Sequence, residues 1–91
     1  MATLIKADGT IQEIKPKNGT DFQLEELQIY VDGYIDIVNL HNGKILVIND
    51  NGKNFYSVNH RVTEIAHANN AIFPFDYIAG DVVLCEDEEV Q

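Results

Sequence analysis

The sequence has one cysteine, no tryptophan and only two prolines. A single cysteine, Cys85, excludes an intrachain disulfide framework and a cysteine-rich zinc site, which favours a reducing compartment. No window approaches the roughly 20 consecutive apolar residues that a membrane-spanning helix needs. The first nine residues also lack the basic and then apolar layout of a signal peptide. We therefore expect a soluble, cytoplasmic protein that does not contact a membrane.

Basic residues are scarce as well. Six Lys and Arg residues stand against 15 Asp and Glu residues, which gives a formal net charge of −9. Direct binding to DNA or RNA is not expected, because neutralising phosphates requires clustered Lys and Arg. Four of the acids form one run, from Glu86 to Glu89. The sequence predicts a single α+β domain over residues 1–85 and an acidic C-terminal tail over residues 86–91.

Short β-rich runs separated by turn residues dominate the chain. Asp8 and Gly9 favour a hairpin turn between the first two runs, and residues 41–43 favour another between the third and fourth. The predicted strands are residues 3–6, 11–15, 34–40, 44–49 and 81–86, with residues 54–57 as an optional further strand.

Two segments have the spacing of amphipathic helices. Residues 21–32 follow a capping box formed by Thr20 and Gln23, and Gly33 is predicted to end that helix in a left-handed conformation. The second helix is predicted over residues 59–69, where apolar residues project onto one side. The expected fold is a small, mainly antiparallel sheet of four to six short strands with two helices packed on one face. Its order is strand-strand-helix-strand-strand-(strand)-helix-strand.

Several residues together resemble a known family. They are Leu24, Leu27, Gln28, Val31, Gly33, Tyr34, Ile35, Val47, Asn49, Gly52, Lys53, Asn59 and residues 80–83. Over nearly the whole chain, the sequence resembles an uncharacterised family of small phage, plasmid and conjugative-element proteins known only as a domain of unknown function. It departs from that family at Asp32, where a second glycine is expected, and over the aromatic segment 54–58. The resemblance implies an accessory mobile-element protein and no particular mechanism.

A polar, amide-rich segment between the central hairpin and the second helix is the candidate binding site. Amide side chains, a helix N-terminus and two cations could together hold a small anionic ligand. The competing interpretation, which we favour, is that the asparagines serve turns and helix caps. The candidate ligand-binding residues are Asn49, Asn51, Lys53, Asn54, Tyr56, Asn59 and Arg61.

Other chemical groups have simpler explanations. His60, Glu64 and His67 have helical spacing, but they lie opposite the apolar stripe and lack a further ligand, so no metal site is expected. Cys85 stands among apolar residues and before four acids, which is typical of a packing cysteine and not of a nucleophile. The aromatic residues are expected mostly in the core. No phosphate loop, nucleophile elbow or metal motif is present, so neither an enzyme nor a cofactor is expected.

Three non-catalytic functions remain open. The first is a binding module of a phage or mobile element for a small anionic, nucleotide-like ligand or for a host factor. The second is an acidic protein that binds a basic host protein or mimics DNA. The third is a structural subunit of a larger assembly. An exposed sheet edge in so small a fold is also compatible with a homodimer.

Overall fold

The computed structural model describes residues 2–90 and confirms the predicted α+β class. Five strands form one sheet, three helices pack around it, and a 3₁₀ turn covers Asp87–Glu89. The strands are β1 (Ala2–Ile5), β2 (Ile11–Ile14), β3 (Ile35–Asn39), β4 (Lys44–Asn49) and β5 (Val82–Glu86). The helices are α1 (Leu24–Val31), α2 (Gly52–Phe55) and α3 (His60–Ala68).

The sheet is antiparallel throughout, in the order β2-β1-β5-β4-β3. The last strand of the chain, β5, lies in the middle and joins the two hairpins. It pairs with β1 through Leu4 opposite Val83, and with β4 through Leu46 opposite Leu84. This arrangement leaves β2 and β3 as the two edges.

The two longer helices lie on opposite faces of the sheet, which differs from the predicted placement on one face. Leu27 and Val31 of α1 share a buried cluster with Val47. Val62 and Ala66 of α3 share a separate cluster that includes Leu46, Val82 and Ile5. Since successive side chains of a strand point to opposite faces, neighbouring residues of β4 lie in different buried clusters. The physical reason is that β4 and β5 are apolar on both faces, so each face needs a cover.

The first helix is shorter than predicted and ends differently. It begins at Leu24, where the Glu26 carboxylate accepts from the backbone N–H of Gln23 at 3.1 Å, three residues beyond the predicted cap. The left-handed residue at its end is Asp32, with φ of 60°, and not Gly33. The other long helix, α3, agrees with the predicted range within one residue at each end.

The optional strand over residues 54–57 is absent, because this segment begins as the single-turn helix α2. Gly52 allows the turn to pack closely, because a Cβ at this position would overlap with the backbone oxygen of Ala79. The connection between α3 and β5 therefore rests directly on α2.

The segment predicted as an acidic tail is part of the folded domain within residues 86–90. Glu86 ends β5, and Val90 forms a parallel bridge with Phe22. The backbone N–H of Phe22 donates to the oxygen of Glu89 at 2.6 Å. Phe22 is almost fully buried, so residues 86–90 close the core under α1.

No helix within residues 2–90 is long and apolar enough to cross a membrane.

Candidate functional site

A groove lies between the edge hairpin and the connection that follows α3. We call it the β3 groove. It has a volume of about 400 Å³, and its floor is formed by β3 and β4 on the side that α3 covers. Its wall is formed by α2 and by the segment from Ile72 to Ala79. The lining residues are Asp36, Val38, Ile48, Asn49, Asp50, Gly52, Lys53, Asn54, Ile72, Asp76, Tyr77, Ile78 and Ala79.

The charges of the β3 groove are unequal, since three aspartates accompany one lysine. The Lys53 ammonium donates a hydrogen bond to the Asp76 carboxylate, and it also lies 4.8 Å from the centre of the Tyr77 ring. The hydrogen bond from Lys53 lowers the pKa of Asp76, assisted by one from the backbone of Tyr77. The cation of the groove is therefore already engaged, and Asp36 and Asp50 give the groove a negative charge.

Two asparagines of the predicted ligand set are structural. Asn49 is buried, and its Nδ2 donates to the backbone oxygens of Val31 and Asp32, at the end of α1. Asn59 is also buried; its Nδ2 donates to the oxygens of Ile5 and Gly80, and its Oδ1 accepts from the N–H of Val62. The structure thus assigns these two amides to helix ends and to contacts between segments.

The remaining members of the predicted set do not converge on one place. Lys53 and Asn54 line the β3 groove together with Asn49. Asn51 and Tyr56 border a smaller depression beside α1, where the Tyr56 hydroxyl donates to the Asp32 carboxylate. That hydrogen bond raises the pKa of Tyr56. Arg61 lies in a third depression with Asn59, His60 and Glu64.

Within the part of the chain that the structure describes, no three His, Cys, Asp or Glu side chains are grouped as metal ligands would be. A ring nitrogen of His67, Nε2, lies 2.9 Å from the backbone oxygen of Asp76 and so ties α3 to the groove wall. Burial, followed by the nearby Glu89 and Glu86, raises the pKa of Cys85 to about 12.

The aromatic residues are more exposed than expected. The Phe73 and Phe75 rings stack on each other, with centroids 5.5 Å apart, yet both stand in solvent. Tyr34 and Phe55 are exposed as well. The expectation that these rings lie mostly in the core is therefore wrong for the residues after α1. The rings border loops and a helix too short to bury them.

Sequence reasoning missed the aspartates of the groove. Asp36, Asp50 and Asp76 belong to three separate segments, so no local motif joins them. The available signal was Asp36 itself, which interrupts the apolar side of a strand between Tyr34 and Val38.

Comparison with known proteins identifies a family. The model of one protein family matches residues 2–91, and that family is described as a domain of unknown function (DUF3846). No curated protein and no solved structure matches the chain.

Proposed function

This chain belongs to the DUF3846 family, and from that premise we propose that it is a non-enzymatic, cytoplasmic accessory protein of a phage or mobile element that binds a basic host protein. The observation that carries the proposal is the charge of the β3 groove. Its lysine is paired with Asp76, while Asp36 and Asp50 have no cation beside them among the residues that line the groove. With a net charge of −9, the protein would attract a basic partner over a distance and repel nucleic acid.

A binding experiment with matched variants tests this proposal. The tagged protein is incubated with bacterial host lysate at low and at high salt, beside the double variant Asp36→Asn/Asp50→Asn. The control is Glu25→Gln/Glu88→Gln, which removes the same charge from exposed positions outside the groove. We expect a basic protein that is retained at low salt, is released at high salt and is lost only with the groove variant. Equal retention by both variants, or a partner without basic character, would contradict the proposal.

Imitation of DNA is a narrower form of the same function. In that case duplex DNA would compete with the protein for the captured partner, because both would present negative charge to the same surface. A competition assay with the captured partner distinguishes the two forms.

A small anionic ligand is the second candidate, and Arg61 is the residue that favours it. Arg61 and His60 lie at the start of α3 in a depression that Gly9 and Asn59 also line. Thermal unfolding in the presence of nucleotide pools tests this idea, since a ligand at a hundred times its dissociation constant stabilises the folded form by about 2.7 kcal/mol. A shift that Arg61→Gln abolishes would support this candidate over the first one.

A further inference from the structure

The outer edge of β3 offers backbone groups to a further strand. Asp50 N–H donates to the oxygen of Tyr34 at 3.0 Å, and Leu40 N–H donates to the oxygen of Lys44 at 3.1 Å. Hydrogen-bonded pairs alternate along an antiparallel ladder. Ile35, Ile37 and Asn39 lie between the bonded pairs, so their backbone groups point away from β4. Within residues 2–90, no strand pairs with this side of β3.

The two faces of β3 differ in chemistry. Asp36 and Val38 face the β3 groove. Ile35 and Ile37 face the opposite side, where Ile35 packs against the core under α1 and Ile37 remains 41% exposed. Because side chains alternate along a strand, a segment paired with β3 would place every second side chain beside the groove and the others beside these isoleucines.

We propose that the outer edge of β3 and the β3 groove together bind an extended protein segment in which basic residues alternate with apolar residues. The basic side chains reach Asp36 and Asp50, and the apolar side chains cover Ile37. This inference rests on the proposed function and names the form in which the basic partner presents itself. Strand addition of this kind takes affinity from main-chain hydrogen bonds and specificity from alternate side chains.

Asp36 explains why the occupant is basic. Its Oδ1 accepts a hydrogen bond of 2.8 Å from the backbone N–H of Ile37, so the carboxylate covers the central donor of the edge. A charged cover of this type protects an edge strand from unwanted pairing. An arginine or lysine side chain competes for the carboxylate and releases the Ile37 N–H. The negative charge of Asp36 and the free N–H donor of Ile37 thus become available to the same ligand at the same time.

A second copy of this chain fits the edge poorly. Two copies paired through β3 would bring two Asp36 carboxylates and two acidic grooves together, in molecules that each carry a net charge of −9. Such like-charge contacts oppose association. The other edge, β2, is differently charged, since Lys6, Lys15 and Lys17 lie beside its hairpin. It therefore serves as an internal control.

The test uses a fluorescein-labelled peptide of about eight residues, close to the usual length of a strand, in which arginine alternates with valine. Its binding to the full chain is followed by fluorescence anisotropy. Two further peptides are N-methylated, one at every arginine amide and the other at every valine amide. Because a strand directs alternate amides to opposite edges, we expect one methylated peptide to bind like the parent and the other to lose binding. A peptide that alternates glutamate with valine should not bind.

Variants of the protein locate the site. Ile37→Pro removes the outward donor without removing a hydrogen bond of the β3–β4 ladder, and proline is tolerated at strand edges. We expect it to abolish binding, whereas Ile11→Pro, at an equivalent outward position of β2, should leave binding unchanged. Asp36→Asn/Asp50→Asn should weaken binding roughly tenfold, the result of losing two partly solvated ion pairs.

The outcomes separate this inference from the proposed function. Strand addition is wrong if both methylated peptides bind equally. It is also wrong if the Ile37→Pro protein binds the arginine–valine peptide as well as the unsubstituted protein does, even if a basic host protein is still captured. If the lysate yields no basic partner as well, both proposals fail. If sedimentation shows a dimer that Ile37→Pro dissociates, a second copy occupies the edge and the inference is overturned. The methylated peptides act on the unmodified protein, so they decide the matter even if Ile37→Pro fails to fold.

Discussion

Asn59 shows how an amide that suggests ligand binding in the sequence can instead form hydrogen bonds within the fold. Its buried side chain makes hydrogen bonds to the backbone of β1, of Gly80 before β5, and of α3. The competing sequence interpretation, in which asparagines serve caps and turns, describes Asn49 and Asn59 correctly. The sequence could not show that Lys53 forms an ion pair, because its partner Asp76 lies in a distant segment.

Replacing Asn59 with alanine tests the structural role of this residue. We expect Asn59→Ala to lower the free energy of unfolding by about 3 kcal/mol, since it removes a helix cap and two buried hydrogen bonds to the backbone oxygens of Ile5 and Gly80. The measurement is urea unfolding followed by circular dichroism. Asn54→Ala, at an exposed position, is the control and should change the stability by less than about 0.5 kcal/mol. A similar effect of both substitutions would contradict the assignment.

Tyr56 provides a test that depends on pH. The hydrogen bond to the Asp32 carboxylate raises the pKa of Tyr56 above the ordinary value of 10.0. This contact therefore stabilises the fold below pH 10, and the contribution is lost as the pH rises through the raised pKa. Titration of tyrosinate absorbance, with Tyr56→Phe to identify the signal, should show that Asp32→Asn brings the pKa back toward 10. An unchanged titration in Asp32→Asn, with Asp36→Asn as control, would show that the contact does not form.

The placement of the two long helices on opposite faces of the sheet depends on entire strands and helices, and not on single residues. The sequence identifies both long helices and all five strands of the sheet, because their periodicity and turn residues are local. It also contained the signal for two covered faces. Ile45 to Ile48 and Val82 to Leu84 are continuous apolar runs, which are typical of strands buried on both sides. The prediction of two helices on one face does not account for these runs, whose side chains form two separate clusters.

Matched substitutions in α1 and α3 test this arrangement. Val31 and Val62 are both fully buried, one under each helix. We expect Val31→Ala and Val62→Ala each to destabilise the protein by roughly 1–2 kcal/mol, and the double variant to show the sum within about 0.5 kcal/mol. Chemical unfolding provides the three values.

A pair on one face supplies the control for that experiment. Val62 and Val82 share a cluster, so Val62→Ala/Val82→Ala should depart from additivity. Strong coupling between Val31 and Val62, with none between Val62 and Val82, would mean that the two helices share a core.

At the scale of the molecule, the topology assembles the groove to which we assign the proposed function, and the sequence could not localise that groove. The seven predicted ligand residues all lie within one short segment, from Asn49 to Arg61. The groove, in contrast, is assembled from β3, from the end of β4 with α2, and from the segment before β5. Only the fold brings Asp36, Asp50 and Asp76 together. The acidic composition predicts a basic partner as one alternative, and we propose that such a partner binds at the β3 edge and groove.

Amide hydrogen exchange of the isotope-labelled protein, measured with and without the arginine–valine peptide, tests the central claim most directly. Binding at β3 should slow the exchange of the Ile35, Ile37 or Asn39 amides, which point outward, and leave the outward amides of Ile11 and Glu13 on β2 unchanged. Slowed exchange on β2, or no slowing at β3 while the peptide is bound, would contradict strand addition at the acidic edge.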